Sequence, residues 1–185
     1  TNNLAFDDLQ NNSEYLNELQ EILYDTLYLN MQITPSSGAF YILNTTVNTS
    51  SDVSRYNGLY LKYINLYSEN AVNNKISLYR GSVTTGKECN LTFHSGWQNE
   101  MQTDFFDDCN KVFSPGTHYV LSPTVSIPET WERARYVYVP VYDFKENIIG
   151  VCGFEINDLY FQLSNKMNDS KLGQLTCALL DEADG

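Results

Sequence analysis

A chain of 185 residues can bury one full hydrophobic core and the edge of a second, and with 42% hydrophobic and 14% aromatic residues it is globular rather than disordered. The formal net charge of −12, with the eleven Lys and Arg scattered along the chain, argues against nucleic acid as a partner, because a phosphate backbone needs a concentrated basic surface. No apolar run approaches the roughly 18 to 20 residues of a membrane span and no signal-peptide pattern opens the chain. The chain starts at Thr1 without Met and is read as a piece of a longer protein.

In chain order, residues 1–12 are polar and expected to fray. From Ser13, read as an N-cap, apolar residues recur at Leu16, Leu19, Leu23 and Leu27, with Tyr15 and Ile22 beside them. That spacing predicts a helix ending near Asn30, broken by Pro35, Ser36, Ser37 and Gly38. Gly38 to Thr46 reads as a strand, Asn48 to Gly58 as a polar turn, and Leu59 to Leu66 as a second strand. Ser68 to Asn74 reads as a short helix or loop, and Ile76 to Gly81 as a short strand or the start of a long excursion. From Ser82 to Glu129 periodicity is weak, and a structureless stretch of that length in a compact domain is usually functional. Within it, Thr117 to Val125 is the best candidate for a third strand.

Trp131 to Ile156 organises the rest. Two runs rich in Val, Ile, Tyr and Phe flank the polar Asp143-Phe144-Lys145-Glu146-Asn147, the signature of a β-hairpin. A four-residue loop puts Tyr136, Tyr138 and Tyr142 on one face with Ile149, Val151, Gly153 and Glu155, and Val137, Val139, Val141, Ile148, Cys152 and Phe154 on the other. A five-residue loop instead sets Glu155 opposite Arg135 as an ordinary cross-strand ion pair. Both registers stay open. After the hairpin, Asn157 or Asp158 caps an expected helix to about Met167.

Pro140 to Ile156, PVYDFKENIIGVCGFEI, resembles the terminal hairpin of the Cache family, the PAS-like extracytoplasmic sensor modules of bacterial receptors. That hairpin typically reads Pro-Val-Tyr-Asp, a Gly turn, then Ile-Gly-Val-x-Gly-x-Asp-Ile. Pro140, Val141, Tyr142, Asp143, Ile149, Gly150, Val151, Gly153 and Ile156 fall in place, while Glu146 stands at the usual turn glycine and Glu155 at the usual Asp. The resemblance implies an α+β fold, with a long N-terminal helix on a largely antiparallel five- to six-stranded sheet, and a middle region that crosses the sheet and walls a ligand pocket. It further implies an extracytoplasmic sensor domain of a membrane-anchored signalling receptor that binds a small molecule, with possible homodimers through the first helix. Residues 1–35 would be the helix and linker, 36–170 the sensor module, and 171–185 the first strand of a following module or a strand returning to this one.

In amino-acid-binding members the acid on the last strand holds the ligand amine, a position Glu155 matches; the accompanying Arg-x-Trp and Tyr-x-Asp elements are absent in that form. The candidate ligand-binding set is Tyr119, Trp131, Tyr136, Tyr138 and Glu155, because a small-molecule pocket needs aromatic walls and a few polar groups. A structural tyrosine ladder with an Arg135–Glu155 pair explains the same residues without a ligand. Cys89 and Cys109 bracket a segment that a disulfide would close, whereas Cys152 reads as a buried thiol and Cys177 as free or its partner. No Cys/His spacing suggests zinc, and His94 and His118 have no carboxylate at catalytic spacing. No metal, cofactor or enzymatic activity is expected. Gly150 and Gly153 lie in a strand pattern, where glycine marks close approach of a helix or ligand. The competing class is a cell-surface adhesion or glycan-binding module using exposed Tyr and Trp as stacking platforms.

Overall fold

The computed structural model describes residues 6–50, 55–64, 66, 75–101, 118–127 and 130–164. The expectations for 68–74, for Cys109 and Cys177, and for the tail 171–185 lie outside these residues. A 3-10 turn at Phe6–Leu9 precedes helix α1, Ser13–Ile33. The cap is Asn12 rather than Ser13: its side-chain oxygen accepts the Tyr15 backbone N–H at 3.3 Å. The helix runs past Asn30 to the last residues before Pro35, whose ring forbids continuation. Leu16 and Met31 are buried on one stripe with Leu19, Leu23, Tyr24 and Leu27 half-buried beside them, while Ile22 faces out.

Nine strands form one sheet among the described residues: β1 Gly38–Leu43, β2 Tyr56–Tyr63, β3 Ile76–Arg80, β4 Thr92–Gln98, β5 Glu100–Met101, β6 Val120–Leu121, β7 Val125–Ser126, β8 Arg133–Tyr142 and β9 Ile148–Asn157. Helix α2, Val83–Glu88, joins β3 to β4, and α3, Asp158–Ser164, follows β9. The order is β4-β3-β2-β1-β9-β8-β6, with β5 beside β2 and β7 beside β8; only β3–β4 is parallel. The fold is therefore α+β with a mixed sheet. It exceeds the expected five or six strands because the excursion from Ser82 supplies four, β4 to β7. The single strand expected at Thr117 to Val125 is two short pieces, since Pro123 cannot donate to the ladder.

Side-chain alternation splits the sheet into two faces. Ala39, Tyr41, Leu43, Leu59, Leu61 and Leu78 pack beneath α1 with Cys152 and Phe154. Phe40, Ile42, Tyr60, Tyr79, Tyr136, Tyr138 and Val151 form the other core, with Met101 and Ile127. The leucine stripe of α1 is what the valine floor of the hairpin would need as a cover, yet the valines of β8 do not lie under it. The helix packs on β1, β2 and α2 instead, Val139 is 37% exposed, and Ile148 packs against the tyrosine face. The cause is position in the sheet: β8 lies two strands beyond β1, out of reach of a helix seated over β1 and β2.

The hairpin combines the two registers left open. Tyr142 pairs with Ile148 across a five-residue loop, yet a bulge at Val141/Tyr142 shifts every later pair by one residue, so Glu155 faces Tyr136 and Gly153 faces Tyr138. The tyrosines and Glu155 thus share a face, and Arg135 pairs with Ile156. Asp143 organises the turn: its carboxylate accepts the Lys145 and Asn147 backbone N–H groups at 2.7 and 2.8 Å. Glu146 takes φ +64°, the left-handed conformation that a glycine adopts without steric cost. Glu146→Gly is expected to raise unfolding stability by up to about 1 kcal/mol in urea titration, and a loss of stability would contradict the strain at this position.

The glycines of β9 make close approaches to neighbouring strands rather than to a helix. A Cβ on Gly153 would lie 2.1 Å from the Val137 carbonyl oxygen, and one on Gly150 2.5 Å from that of Ile42.

Candidate functional site

Register builds the site. Across the sheet Tyr136 pairs with Glu155, Glu155 with Gly38, and Gly38 with Lys62. Gly38 carries no side chain, so Lys62 and Glu155, on strands either side of β1, meet over it: the Lys62 Nζ lies 2.9 Å from Glu155 Oε2. The next row along, Tyr138–Gly153–Phe40–Tyr60, has the same pattern, with Gly153 leaving room between two rings.

Glu155 is completely buried and Lys62 is 1% exposed, so this ion pair is fully removed from water. The remaining carboxylate capacity is filled by Ser37 Oγ, which donates to Oε1 at 2.7 Å, and by the Tyr60 hydroxyl, which donates to Oε2. Tyr60 and Tyr136 are joined through their hydroxyls at 3.3 Å. Burial, then the Glu155 charge, pushes the Tyr60 phenol well above its ordinary pKa, and the same two causes raise Tyr136. Both phenols therefore stay protonated donors at any physiological pH.

Lys62 has a second carboxylate. Glu132 Oε2 lies 2.5 Å from the ammonium, but the Glu132 side chain is 33% exposed and comes from the β7–β8 loop rather than the sheet. That loop is held by the Ile127 N–H to Glu132 carbonyl bond at 2.9 Å, and by Thr130 Oγ1, which accepts the Glu132 N–H at 3.1 Å. Two cations approach the Tyr79 ring, Lys62 at 5.2 Å and Arg80 at 4.0 Å from its centroid. The Arg80 guanidinium donates to the Tyr79 and Gly96 carbonyls at 2.8 and 2.6 Å. The arrangement is a buried patch of two cations and two carboxylates walled by phenol and phenyl rings, one carboxylate reaching solvent.

His94 meets the edge of this patch, its ring 5.1 Å from Tyr79 in an edge-to-face contact. Burial first, then the Lys62 ammonium, hold its imidazole below the ordinary value of 6.5, with Arg80 acting the same way and Glu132 and Glu155 opposing. A histidine whose folded pKa is depressed binds fewer protons folded than unfolded; its contribution is intact above about pH 6.5 and declines as pH falls through that value toward the folded pKa. Stability should therefore drop more between pH 7 and 5.5 in the wild type than in His94→Gln, by thermal unfolding at each pH. Equal slopes would contradict the shift.

Of the five candidate binding residues, Tyr136, Tyr138 and Glu155 come together, at 8%, 4% and 0% exposure. Tyr119 and Trp131 do not join them and stand out in solvent, Trp131 completely. Tyr119 precedes the Val120–Tyr138 pair whereas Trp131 precedes the opposite end of β8, which separates them by roughly 20 to 25 Å of strand. Sequence reasoning missed Lys62, Tyr60 and Glu132. The period-two signal was present for the first two: Tyr60 and Lys62 alternate with Leu59, Leu61 and Tyr63, so a lysine falls on an inward face. Among the described residues no group of three His, Cys, Asp or Glu could hold a metal ion, and no helix is long and apolar enough to cross a membrane.

No family model and no curated protein matches the chain. Among solved structures it is similar to the periplasmic sensory domain of the Campylobacter jejuni chemoreceptor Tlp1, at 11% identity and a TM-score of 0.40, over 87% of this chain and 56% of that one. The chain thus spans little more than half the length of that structure.

Proposed function

We propose that the chain is the extracytoplasmic ligand-binding domain of a membrane-anchored signalling receptor, a non-enzymatic PAS-like sensor of the Cache type. Its small-molecule site is the tyrosine-lined face around Lys62 and Glu155. The observation that carries this is the dehydrated Lys62–Glu155 pair with a partly exposed third partner, Glu132. A buried ion pair is weak support for folding stability, since apolar residues of the same volume commonly serve as well, so its place on an aromatic face suits recognition of a charged group. The Cache-like hairpin sequence and the order helix, β1, β2, with the final hairpin beside β1, support the same reading. An amine or amino acid suits the site: its ammonium would pair with the Glu132 carboxylate, the one of the two that reaches solvent. A glycan-binding surface is the competing reading; of the exposed aromatics it could use, Tyr119 and Trp131 lie too far apart to stack on one sugar.

The test is a thermal-shift screen of the purified domain with amines, amino acids and sugars, together with mass spectrometry for a retained small molecule. A true ligand at a hundredfold excess over its Kd stabilises by about 2.7 kcal/mol, equivalent to about 5 to 10 °C for a domain of this size. Stabilisation by a charged small molecule supports the reading. Polysaccharide binding with no small-molecule shift would overturn it.

A further inference from the structure

We infer that Glu132 is a built-in competitor for the ligand: its carboxylate occupies, on Lys62, the place an anionic group of the ligand takes when the site is filled. This rests on the sensor reading above and adds how the site is held closed. The argument is one of asymmetry between the two partners of a single ammonium. Glu155 is immobile in a central strand, 0% exposed, and bound at both oxygens by Ser37, Tyr60 and Lys62. Glu132 is 33% exposed, sits on a loop, and among the described residues its side chain bonds to Lys62 alone.

Lys62 itself cannot leave, because its strand is hydrogen-bonded on both sides and its side chain is 1% exposed between Tyr60 and Tyr79. Any exchange at this ammonium is therefore exchange of Glu132. Charge balance fixes the class of the incoming group. Removing Glu132 without replacement leaves a buried cation short of one partner, which is unfavourable, while a ligand carboxylate restores the count one for one. The displaced carboxylate is already partly in water, so its release costs little desolvation.

A binding-competent state that is only fractionally populated weakens apparent affinity by that fraction, and a latch closed nine-tenths of the time hides about tenfold in Kd. The experiment is calorimetry on the 185-residue domain with acetate, pyruvate, succinate, glycine and glutamate, each beside its matched amide and a simple amine, using wild type, Glu132→Gln and Glu132→Asp. The expected result is that a carboxylate binds, its amide does not, and Glu132→Gln tightens the carboxylate by about tenfold or more. Glu132→Asp, which keeps the charge on a shorter arm, should fall between. A carboxylate that binds Glu132→Gln no more tightly than wild type, or more weakly, overturns the latch and leaves the sensor reading standing. So does binding confined to amines or neutral compounds. Absence of binding to all three proteins overturns both.

Discussion

Lys62→Met is expected to destabilise the domain by about 3–5 kcal/mol, the usual result of leaving a buried charge without its partner. Glu155 would keep Ser37 and Tyr60 but lose its counter-ion in a place water does not reach. The companion variant decides the cause. In a Glu155→Gln background the same substitution leaves no uncompensated buried charge, only the partly solvated Glu132, and the double variant should recover roughly half or more of the loss. Urea unfolding of the four proteins in the cycle measures both. A cost under about 1 kcal/mol for Lys62→Met would place the pair among screened surface bridges and contradict its burial. The Lys62–Glu132 bond contributes much less to this figure, because Glu132 is a third exposed.

Gly153→Ala is expected to cost about 1–3 kcal/mol or more, through overpacking against backbone rather than loss of a contact. The added methyl would sit 2.1 Å from the Val137 carbonyl oxygen and 2.7 Å from the Tyr138 Cα, so the two strands of the terminal hairpin must part. Because Tyr138 is the residue paired with Gly153, the same movement displaces the tyrosine face of the site. Thermal unfolding should show the loss, and amide exchange in β8 and β9 should quicken. An alanine variant of unchanged stability would mean that the strands separate freely at this point.

The hairpin was legible because two ten-residue runs rich in aromatic and β-branched residues flank a polar turn, with Tyr and Val alternating from Tyr136 to Val139, and period two leaves few ways to arrange such runs. Its loop length alone was misleading: a five-residue turn taken by itself puts Glu155 on the valine side, and only the bulge at Val141/Tyr142 returns it to the tyrosines. A bulge has no strong sequence signature when the extra residue is not glycine. Helix α1 was legible from its leucines, but Gln20 was hidden among them. Its amide is fully buried and ties the helix to Asn57 at 3.2 Å and to the Ser82 backbone N–H at 2.8 Å. The helix therefore sits over β1, β2 and α2 rather than over β8. Periodicity shows which stripe is buried and is silent about which strand lies beneath.

The charged site was half legible for a similar reason. A carboxylate on an inward strand position demands a cation or donors, so Glu155 stood out. The cation comes from β2, two strands away across Gly38, and long-range pairing of that kind is set by sheet order, which the sequence does not state. Glu132 is further from view, because it belongs to an irregular loop with no period to read.

The most direct test of a ligand site on the tyrosine face is a crystal structure of the domain with whichever compound stabilises it most. The account predicts the compound bonded to Lys62 on the solvent side where Glu132 now reaches it, with the Glu132 carboxylate displaced from its position 2.5 Å away. A compound bound elsewhere, as in the groove of about 390 Å³ between Phe6 and the Asp143–Ile149 turn, with Lys62 still bridging both carboxylates, would contradict it.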